Sequence, residues 1–322
     1  MKFAKRVRIL SIMNLELTFR LARSTDFDEI LKLSDGIYAG HDYLPPTYHT
    51  WMKMDKVAVM LAHSGDKLVG LVASSIVDDE QTSIRRAGRT LPEFRGQGIF
   101  SQLSQAMNEF VRRHYPKVCR ERFTSLENYP SVTKLAAPLD ILSSRVIENS
   151  KTSLQFHRFS TTTESVQIEA CTKEYLCDVI FSSSVAQKLF PDNVIILEFI
   201  PIEPSRTNID YLQQERDLYF AVEKCSDGGF PRSVSFGVMT PTVNCSEWYV
   251  SVYTSDPKLY EAHLVHQFRR AREVIDGDFV FRTCQDKSLT QHGRRVLQKE
   301  LQLELAEGMS NKTMKLYENK FD

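Results

Sequence analysis

The sequence lacks an excess of charge of either sign. Lysine and arginine together number 41, and so do aspartate and glutamate, in a chain of 322 residues. A chain without net charge has no overall electrostatic attraction to nucleic acid or to acidic membrane surfaces. We therefore expect neither a nucleic acid nor a membrane as a partner, and the sequence leaves the oligomeric state open.

Long apolar runs are missing as well. No 18 consecutive residues are apolar, so the sequence predicts no transmembrane helix. Residues 1–17 are basic, and their apolar stretch at residues 9–13 is too short for a secretory signal. We predict a basic N-terminal tail at residues 1–17 and a cytoplasmic location, with a mitochondrial presequence as the alternative interpretation of the tail.

Cysteine pairs of the kind that bind zinc are also absent. None of the six cysteines stands in a Cys-x-x-Cys pair, and no cysteines and histidines have the spacing of a zinc site. The sequence predicts reduced thiols and no metal. His263 and His266 lie three residues apart on a predicted helix without an acidic partner, so we interpret them as surface or core residues.

The composition indicates a globular protein with two halves. Apolar residues make up 42% of the chain and charged residues 25%. Serine and threonine are frequent at residues 150–170, so we place a boundary there, between a domain at residues 18–150 and a second at residues 165–322. Both halves show the predicted order β-β-β-α-β-α-β, which indicates an α/β (α+β) fold that is roughly repeated, with slight sequence similarity.

Local patterns predict the first elements of the chain. Apolar residues at helical spacing from Phe27 to Leu33 predict a helix. The next segment, AGHDYLPPTYHTWM, is predicted to be an aromatic-rich loop because Pro45 and Pro46 interrupt helices. Two strands then flank a hairpin turn at residues 64–66, and a third strand is predicted over TSIRRAGRTL.

The stretch TLPEFRGQGIFSQL, residues 90–103, places two glycines between that third strand and a predicted helix that Pro116 ends. The first N–H groups of a helix have no partners and carry partial positive charge, and glycine lets a ligand approach the backbone closely. Such a turn can bind a phosphate or pyrophosphate. The spacing fits neither Gly-x4-Gly-Lys-Ser/Thr nor Gly-x-Gly-x-x-Gly. From the glycines alone, a tight turn that only caps the helix is the alternative.

The motif PEFRGQGI resembles the pyrophosphate-binding turn of the Gcn5-related N-acetyltransferases (GNAT), whose pattern is Gln/Arg-x-x-Gly-x-Gly/Ala. Arg95 fills the first place and Gly98 the fourth, whereas Phe100 replaces the final small residue. The resemblance implies the GNAT fold, a mixed twisted sheet with helices on both faces, here followed by a second, degenerate GNAT-like half. It also implies acetyl-CoA as co-substrate. The cofactor-binding residues implied are Thr90, Leu91, Arg95, Gly96, Gln97, Gly98, Ile99, Phe100, Ser101 and Asn128.

A narrower resemblance is to the family of histidine N-acetyltransferase and N-acetyltransferase 16. The matching residues are Ile37, Tyr38, Gly40, Asp42, Tyr43, Leu44, Pro45, Tyr48 and Trp51. This resemblance implies transfer of an acetyl group to the α-amino group of a free amino acid such as L-histidine. In this fold the first loop covers the acceptor. The expected substrate-binding residues are Tyr38, Asp42 and Tyr43 of that loop, together with Arg86 of the strand before the turn. Packing of the aromatic residues in the core is the alternative.

The catalytic residues of the wider family have no counterparts here. Many members use a glutamate on the strand before the turn and a tyrosine in a later segment, and those places hold Arg86 and Leu135. A base from another element, with Asp42 or Glu127 as candidates, proton transfer by water, and weak catalysis remain open. We therefore leave the catalytic residues unassigned.

Three arginines stand on the strand before the turn. Strict alternation along a strand places Arg86 on one face with Gly88 and Thr90, and Arg85 with Arg89 on the other. The first face is expected to carry the cofactor, so Arg86 is the candidate for binding an acceptor carboxylate. A solvated strand face with an ion pair is the alternative.

The sequence favours a small-molecule N-acetyltransferase. A non-catalytic acetyl-CoA-binding protein with a regulatory or interaction role is the alternative, and an acetyltransferase acting on proteins is a third reading. The second half lacks the Arg-Gly-x-Gly turn, so we expect it to have no cofactor site of its own.

Overall fold

Strands from both halves of the chain form one long mixed sheet. The computed structural model describes residues 16–126, 133–134, 139–147, 166–182, 184–190, 192–225, 229–306, 310 and 312–321. Its strands are β1 (Leu17–Leu21), β2 (Val57–Ser64), β3 (Lys67–Val77), β4 (Thr82–Thr90), β5 (Arg120–Ser125), β6 (Thr133–Lys134), β7 (Leu139–Val146), β8 (Ile168–Ala170), β9 (Ile195–Leu197), β10 (Ile200–Ile202), β11 (Asp217–Glu223), β12 (Val234–Pro241), β13 (Ser246–Tyr253), β14 (Phe279–Asp286) and β15 (Lys312–Lys320).

Helices connect these strands. They are α1 (Phe27–Ser34), α2 (Leu44–Trp51), α3 (Ile99–His114), α4 (Lys173–Tyr175), α5 (Ser184–Leu189), α6 (Arg206–Gln213), α7 (Pro257–Val274) and α8 (Thr290–Arg294). Helices α4 and α8 continue into π-helical turns, and short 3₁₀ turns precede α1, α2, α3 and α8. None of the helices within the described ranges is both long and apolar enough to cross a membrane.

The sheet order shows that the two halves exchange strands. The order is β1-β2-β3-β4-β5-β15-β7-β14-β13-β12-β11-β8, and β9 and β10 form a separate two-stranded sheet. The C-terminal strand β15 pairs with β5 of the first half, while β7 pairs with β14 of the second. Strand pairing therefore crosses the predicted division between residues 18–150 and 165–322, and that division stays a prediction.

Helices pack on both faces of the sheet, as predicted. Helix α3 buries one apolar stripe, with Ile99, Leu103 and Val111 all at most 1% exposed, against β2 and β3. Helices α1 and α2 pack on the opposite face through residues such as Ile30 and Trp51. The structure confirms the predicted hairpin and the helix after the turn. In the second half the predicted order is present as β11, β12, β13, α7, β14, α8 and β15.

The prediction of a loop at residues 39–52 is wrong, because Leu44–Trp51 forms α2. The two prolines, Pro45 and Pro46, lie in the first turn of this helix. The first N–H groups of a helix have no partner within it, so a residue without an N–H costs little there. The prolines therefore begin the helix rather than interrupt it.

The prediction of strict alternation along β4 is also wrong, because the strand contains a bulge. Ala87 has φ +52°, and the pairing with β3 shifts between Arg86 and Arg89, which oppose Ala73 and Leu71. An extra residue in one strand reverses the alternation beyond it. Arg86 and Arg89 therefore share the face of α1 and α2, and their neighbour Arg85 lies on the face of α3.

Candidate functional site

The turn before α3 is open on its outer side. Gly96 and Gly98 have φ +76° and +74°, and a Cβ added at either would meet no atom within 4 Å. Gly98 is the N-cap of α3, which has no side-chain cap. The 16-residue helix thus begins with uncapped N–H groups beside an open turn, an arrangement suited to an anion.

Side chains of the turn stabilise its shape. The Arg95 Nε donates to the Thr90 carbonyl at 3.2 Å, and the Gln97 amide donates to the Glu93 carbonyl at 3.2 Å. Glu93 in turn pairs with Lys67 of β3 at 2.9 Å. Leu91 donates its N–H to Val69, so the chain leaves β4 in sheet geometry and then turns.

Phe100 contacts the strand that leads into the turn. A Cβ added to Gly88 would lie 2.4 Å from the Phe100 ring, so the ring lies directly on the Gly88 backbone. The side chain is 37% exposed, and the Arg85 guanidinium lies 6.0 Å from its centroid. The residue that departs from the family pattern therefore covers β4 beside the turn.

Strands β4 and β5 separate on the side where the turn lies. They pair in parallel only from Thr82 to Ile84 against Arg120 to Arg122. Beyond that point β5 continues with β15, and β4 continues with β3. The separation leaves an opening at the carboxyl end of two parallel strands, where ligands bind in open α/β sheets.

An ion pair bridges the two strands where they separate. Arg85 donates to both carboxylate oxygens of Glu121 on β5, one at 2.8 Å. Glu121 is buried and also accepts from Asn319 of β15 at 3.3 Å. Arg85 therefore forms an ion pair, as in the alternative interpretation of the strand arginines. Strand β15 contributes to the wall of the opening.

The loop expected to cover the acceptor lies on the opposite face of β4. Tyr38 is 58% exposed, while Tyr48 and Trp51 are core residues at 0%. The Tyr43 hydroxyl accepts the N–H of Ala87 at the bulge, at 3.2 Å. Burial raises the pKa of Tyr43 to about 12, so its hydroxyl stays protonated at neutral pH.

Asp42 is fully engaged in structure. Arg89 donates to its two carboxylate oxygens at 2.6 and 2.7 Å, and the Leu44 N–H at the start of α2 donates to it at 3.0 Å. The carboxylate is buried with Arg89. With three donors bound to its two oxygens, Asp42 fixes α2 to β4.

The second half holds the acceptor loop in place. The loop between β12 and β13 donates Asn244 and Val243 N–H groups to the carbonyls of Gly40 and Asp42. A Cβ on Gly40, which has φ +90°, would lie 1.8 Å from the Asn244 side chain. Only glycine permits this close approach. The His41 ring also pairs with Glu247 of β13 at 2.9 Å.

Arg86 pairs with Glu215, the second residue after α6. Its guanidinium donates to both Glu215 oxygens, at 2.9 and 2.7 Å, and its centre lies 4.5 Å from the Trp51 ring. Both side chains are at most 5% exposed. The guanidinium fork expected to bind an acceptor carboxylate thus already holds a carboxylate of the protein. Sequence reasoning missed Glu215 because nothing local marks it as a neighbour of β4.

Three residues that the sequence pointed to lie outside the described residues. They are the cofactor candidate Asn128, the base candidate Glu127, and Leu135, which stands at the family's tyrosine position. Ile99 begins α3 in the core, and Ser101 lies exposed in its first turn. Thr90 ends β4 and Leu91 follows it, so the described cofactor candidates are consecutive with the turn and the start of α3.

The second half has the same strand-turn-helix unit without the open turn. Strands β13 and β14 pair in parallel, and α7 follows β13. The Asp256 carboxylate caps α7 by accepting the Lys258 N–H at 2.8 Å, and Pro257 has no N–H. A negative charge therefore occupies the helix end at which an anion would bind.

Comparison with known proteins identifies the relatives of the chain. Residues 164–286 match the family model described as histidine N-acetyltransferase, C-terminal. Histidine N-acetyltransferase of Scomber australasicus is 24% identical over 90% of both chains, and that of Oreochromis niloticus 38% identical over 32% of both. Human probable N-acetyltransferase 16 is 28% identical over 61% of this chain, and the match spans 56% of the human protein, little more than half its length.

Solved structures establish the fold. A tandem GNAT protein from the clavulanic acid biosynthesis pathway superimposes with a TM-score of 0.55 over 95% of this chain and 98% of its own, at 14% identity. A Gcn5-related N-acetyltransferase from Sphaerobacter thermophilus has a TM-score of 0.59 over 94% and 95%, at 12% identity. The chain thus has the GNAT fold, is similar to the histidine N-acetyltransferases, and matches the C-terminal model of that family at residues 164–286.

Proposed function

We propose that the chain is an acetyl-CoA-dependent N-acetyltransferase whose acceptor is the amine of a small molecule, the α-amino group of a free amino acid such as L-histidine. The observation that carries the proposal is the open turn between β4 and α3. Two left-handed glycines there lie next to uncapped helix N–H groups, at the carboxyl end of two separating parallel strands.

The turn fits the pyrophosphate of a coenzyme A thioester. The backbone from Arg95 to Ser101 would hold the phosphates, because no side chain covers the outer side of Gly96 and Gly98. Thr90 and Leu91 lie where the strand meets the turn and would contact the pantetheine arm. When bound, the co-substrate supplies an acetyl thioester that an amine can attack.

The opposite face of β4 suits an amine acceptor. Tyr38 is exposed in the loop before α2, and Tyr43 contacts the bulge through the Ala87 N–H. An exposed aromatic ring beside a hydroxyl can stack on a side chain such as imidazole and bind its polar atoms. The relative named histidine N-acetyltransferase that is similar over 90% of this chain supports this acceptor class.

Mass spectrometry of an acceptor mixture tests the proposal. The full chain is incubated with acetyl-CoA and the twenty free amino acids, and acetylated products are identified. We expect acetylation of one amino acid or a few, on the α-amino group. A matched set of primary amines without a carboxylate shows whether the acceptor must be an amino acid.

A second candidate function is binding of acetyl-CoA without efficient transfer. Two observations favour it: the Phe100 ring lies on Gly88 beside the turn, and Arg86 occupies the family's glutamate position. A rise in melting temperature with acetyl-CoA, in the absence of any acetylated product, would support this alternative against the proposal.

A further inference from the structure

A hairpin of the second half reaches the opening between β4 and β5. Strand β10 lies along β5, since Glu203 pairs with Arg120 at 2.5 Å and the Phe199 carbonyl accepts from Thr124 at 2.7 Å. Thr124 lies two residues beyond Arg122, the last residue of β5 that pairs with β4. The tip of the hairpin, Glu198–Phe199, is therefore at the point where the two strands have separated.

One arginine, Arg216, connects the Glu198 side chain to the bulge of β4. Glu198 forms an ion pair with Arg216, and the Arg216 guanidinium lies 5.9 Å from the Tyr43 ring. The Tyr43 hydroxyl binds the Ala87 N–H at the bulge. Glu198 thus lies on the face of the acceptor loop, between the bulge of β4 and the end of β5.

The backbone at the hairpin tip is strained. Glu198 and Phe199 have φ +50° and +66°, and neither is a glycine. Two-residue turns with both residues in this region strongly prefer Asn-Gly or Gly-Gly. Strained residues persist where the surroundings determine their position, and they cluster at functional sites. Glycine or asparagine adopts positive φ at a lower energetic cost than glutamate. A turn with a purely structural role would therefore not favour glutamate at this position.

Arginines bind the other two carboxylates near the bulge, Asp42 and Glu215. Arg89 binds both oxygens of Asp42. Burial acts against ionisation of Glu215, but Arg86 and Arg216 together lower its pKa to about 2. For Glu198, burial outweighs the opposing effect of Arg216 and raises its pKa. The charged and polar groups that face Glu198 are Arg216, Arg86, Arg282, Glu215, Thr240, Tyr249 and Tyr43.

We propose that Glu198, supplied by the second half, is the general base for the amine acceptor. The inference rests on the proposed function, and it assigns a residue to the role of general base, which the sequence alone left open. Its carboxylate takes a proton from the acceptor ammonium and releases it to solvent. The neutral nitrogen then forms a bond to the acetyl carbon, the carbon–sulfur bond breaks, and the second nitrogen proton passes to the leaving thiolate.

The test compares Glu198→Gln with Glu203→Gln, a control in the same hairpin segment. Acetyl transfer is measured from pH 6 to 9.5, and acetyl-CoA binding is followed by the shift in melting temperature. A general base contributes about 10²–10⁴-fold, so we expect Glu198→Gln to lose that factor in kcat near pH 7. The loss should shrink as pH rises toward the pKa of the amine, because a neutral amine needs no base. Glu203→Gln should match the wild type.

The outcomes distinguish the two proposals. An active wild type with an equally active Glu198→Gln, or a loss that is the same at every pH, would overturn the assignment of Glu198 alone. A wild type that binds acetyl-CoA but transfers nothing would contradict the proposed function itself. If Glu198→Gln fails to fold, Glu198→Asp keeps the carboxylate, and the assignment then requires a smaller loss that still depends on pH.

Discussion

Arg86 of β4 and Glu215 of the second half form a buried ion pair with two hydrogen bonds, of 2.9 and 2.7 Å. Arg216 also forms an ion pair with Glu215, at 3.0 Å, and another with Glu198. Each buried charge in this group has an opposite partner. The second half thereby extends charged side chains into the first half, beside the loop that faces the proposed acceptor.

Removing one partner of this pair should destabilise the protein more than removing both. Glu215→Leu leaves Arg86 buried without its partner, and such a loss typically costs about 3–5 kcal/mol. Arg86→Met combined with Glu215→Leu should recover much of that loss, because the remaining Glu198–Arg216 pair is balanced. Urea unfolding of both single variants and the double variant measures the coupling. Additive losses would show that the two side chains do not stabilise each other.

The same pair bears on the acceptor. If Arg86 binds an acceptor carboxylate, as the sequence predicts, Arg86→Ala should raise KM for an amino acid about ten- to a hundredfold and leave a matching primary amine unaffected. Because Glu215 occupies the guanidinium in the structure, we expect the two acceptors to change alike.

Phe100→Ala should strengthen binding of acetyl-CoA. The ring lies on Gly88 beside the turn, so a bound thioester has to displace it or pass around it. We expect Kd to fall by up to about tenfold, which corresponds to about 1.4 kcal/mol. Phe110→Ala, a phenylalanine further along α3 that stacks on His114, is the control. Weaker binding by Phe100→Ala in calorimetry would show that the ring contributes to the site.

His263 should make the stability of the protein depend on pH. Its ring is fully buried between Ser233 and Ser235, at 2.9 and 2.8 Å, and burial lowers its pKa from 6.5 to about 3. Below pH 6.5 the His263 ring therefore binds a proton in the unfolded chain, whereas the buried ring in the folded protein stays neutral. Stability is full above pH 6.5 and falls toward pH 3, by up to about 1.4 kcal/mol per pH unit.

Unfolding measured between pH 7 and 4 tests this effect. His263→Gln should show a shallower decline than the wild type, while His49→Gln, which changes an exposed histidine, should not. Parallel declines in the wild type and His263→Gln would contradict the assignment of the proton to His263.

The chain should bind one equivalent of acetyl-CoA. In the second half the Asp256 carboxylate caps α7, which leaves no place for a pyrophosphate at that helix. Calorimetry on the wild type measures the stoichiometry directly. Two equivalents per chain, or one equivalent that survives Gly98→Trp, would show that the second half binds the co-substrate.

Local signals predicted much of the fold but little of the inner site. The hairpin at Gly65 and the turn at Gly96 and Gly98 were correct because each depends on a few neighbouring residues. The bulge at Ala87 carries no glycine at its left-handed residue, so alternation gave the wrong face for Arg86. The contacts that the sequence did not predict come from residues that are distant from β4 in sequence.

The contribution of the second half is the clearest example. Glu198 and Glu215 are more than a hundred positions from β4 and stand in no motif, so no spacing connects them to the turn. Strand β15 joins β5 by a pairing of similarly long range. These contacts follow from how the two halves pack, which depends on the whole chain.

The most direct test of the account is the initial rate of coenzyme A release with a free amino acid acceptor, measured for the wild type, Gly98→Trp and Gly65→Trp. Both glycines have positive φ and open surroundings, so the two substitutions impose similar backbone strain. Gly65 lies in the β2–β3 hairpin and is not among the residues expected to bind the co-substrate. We predict that Gly98→Trp lowers the rate at least tenfold, since the indole would cover the anion site, and that Gly65→Trp retains it. Equal rates in the two variants would contradict the placement of the co-substrate at this turn.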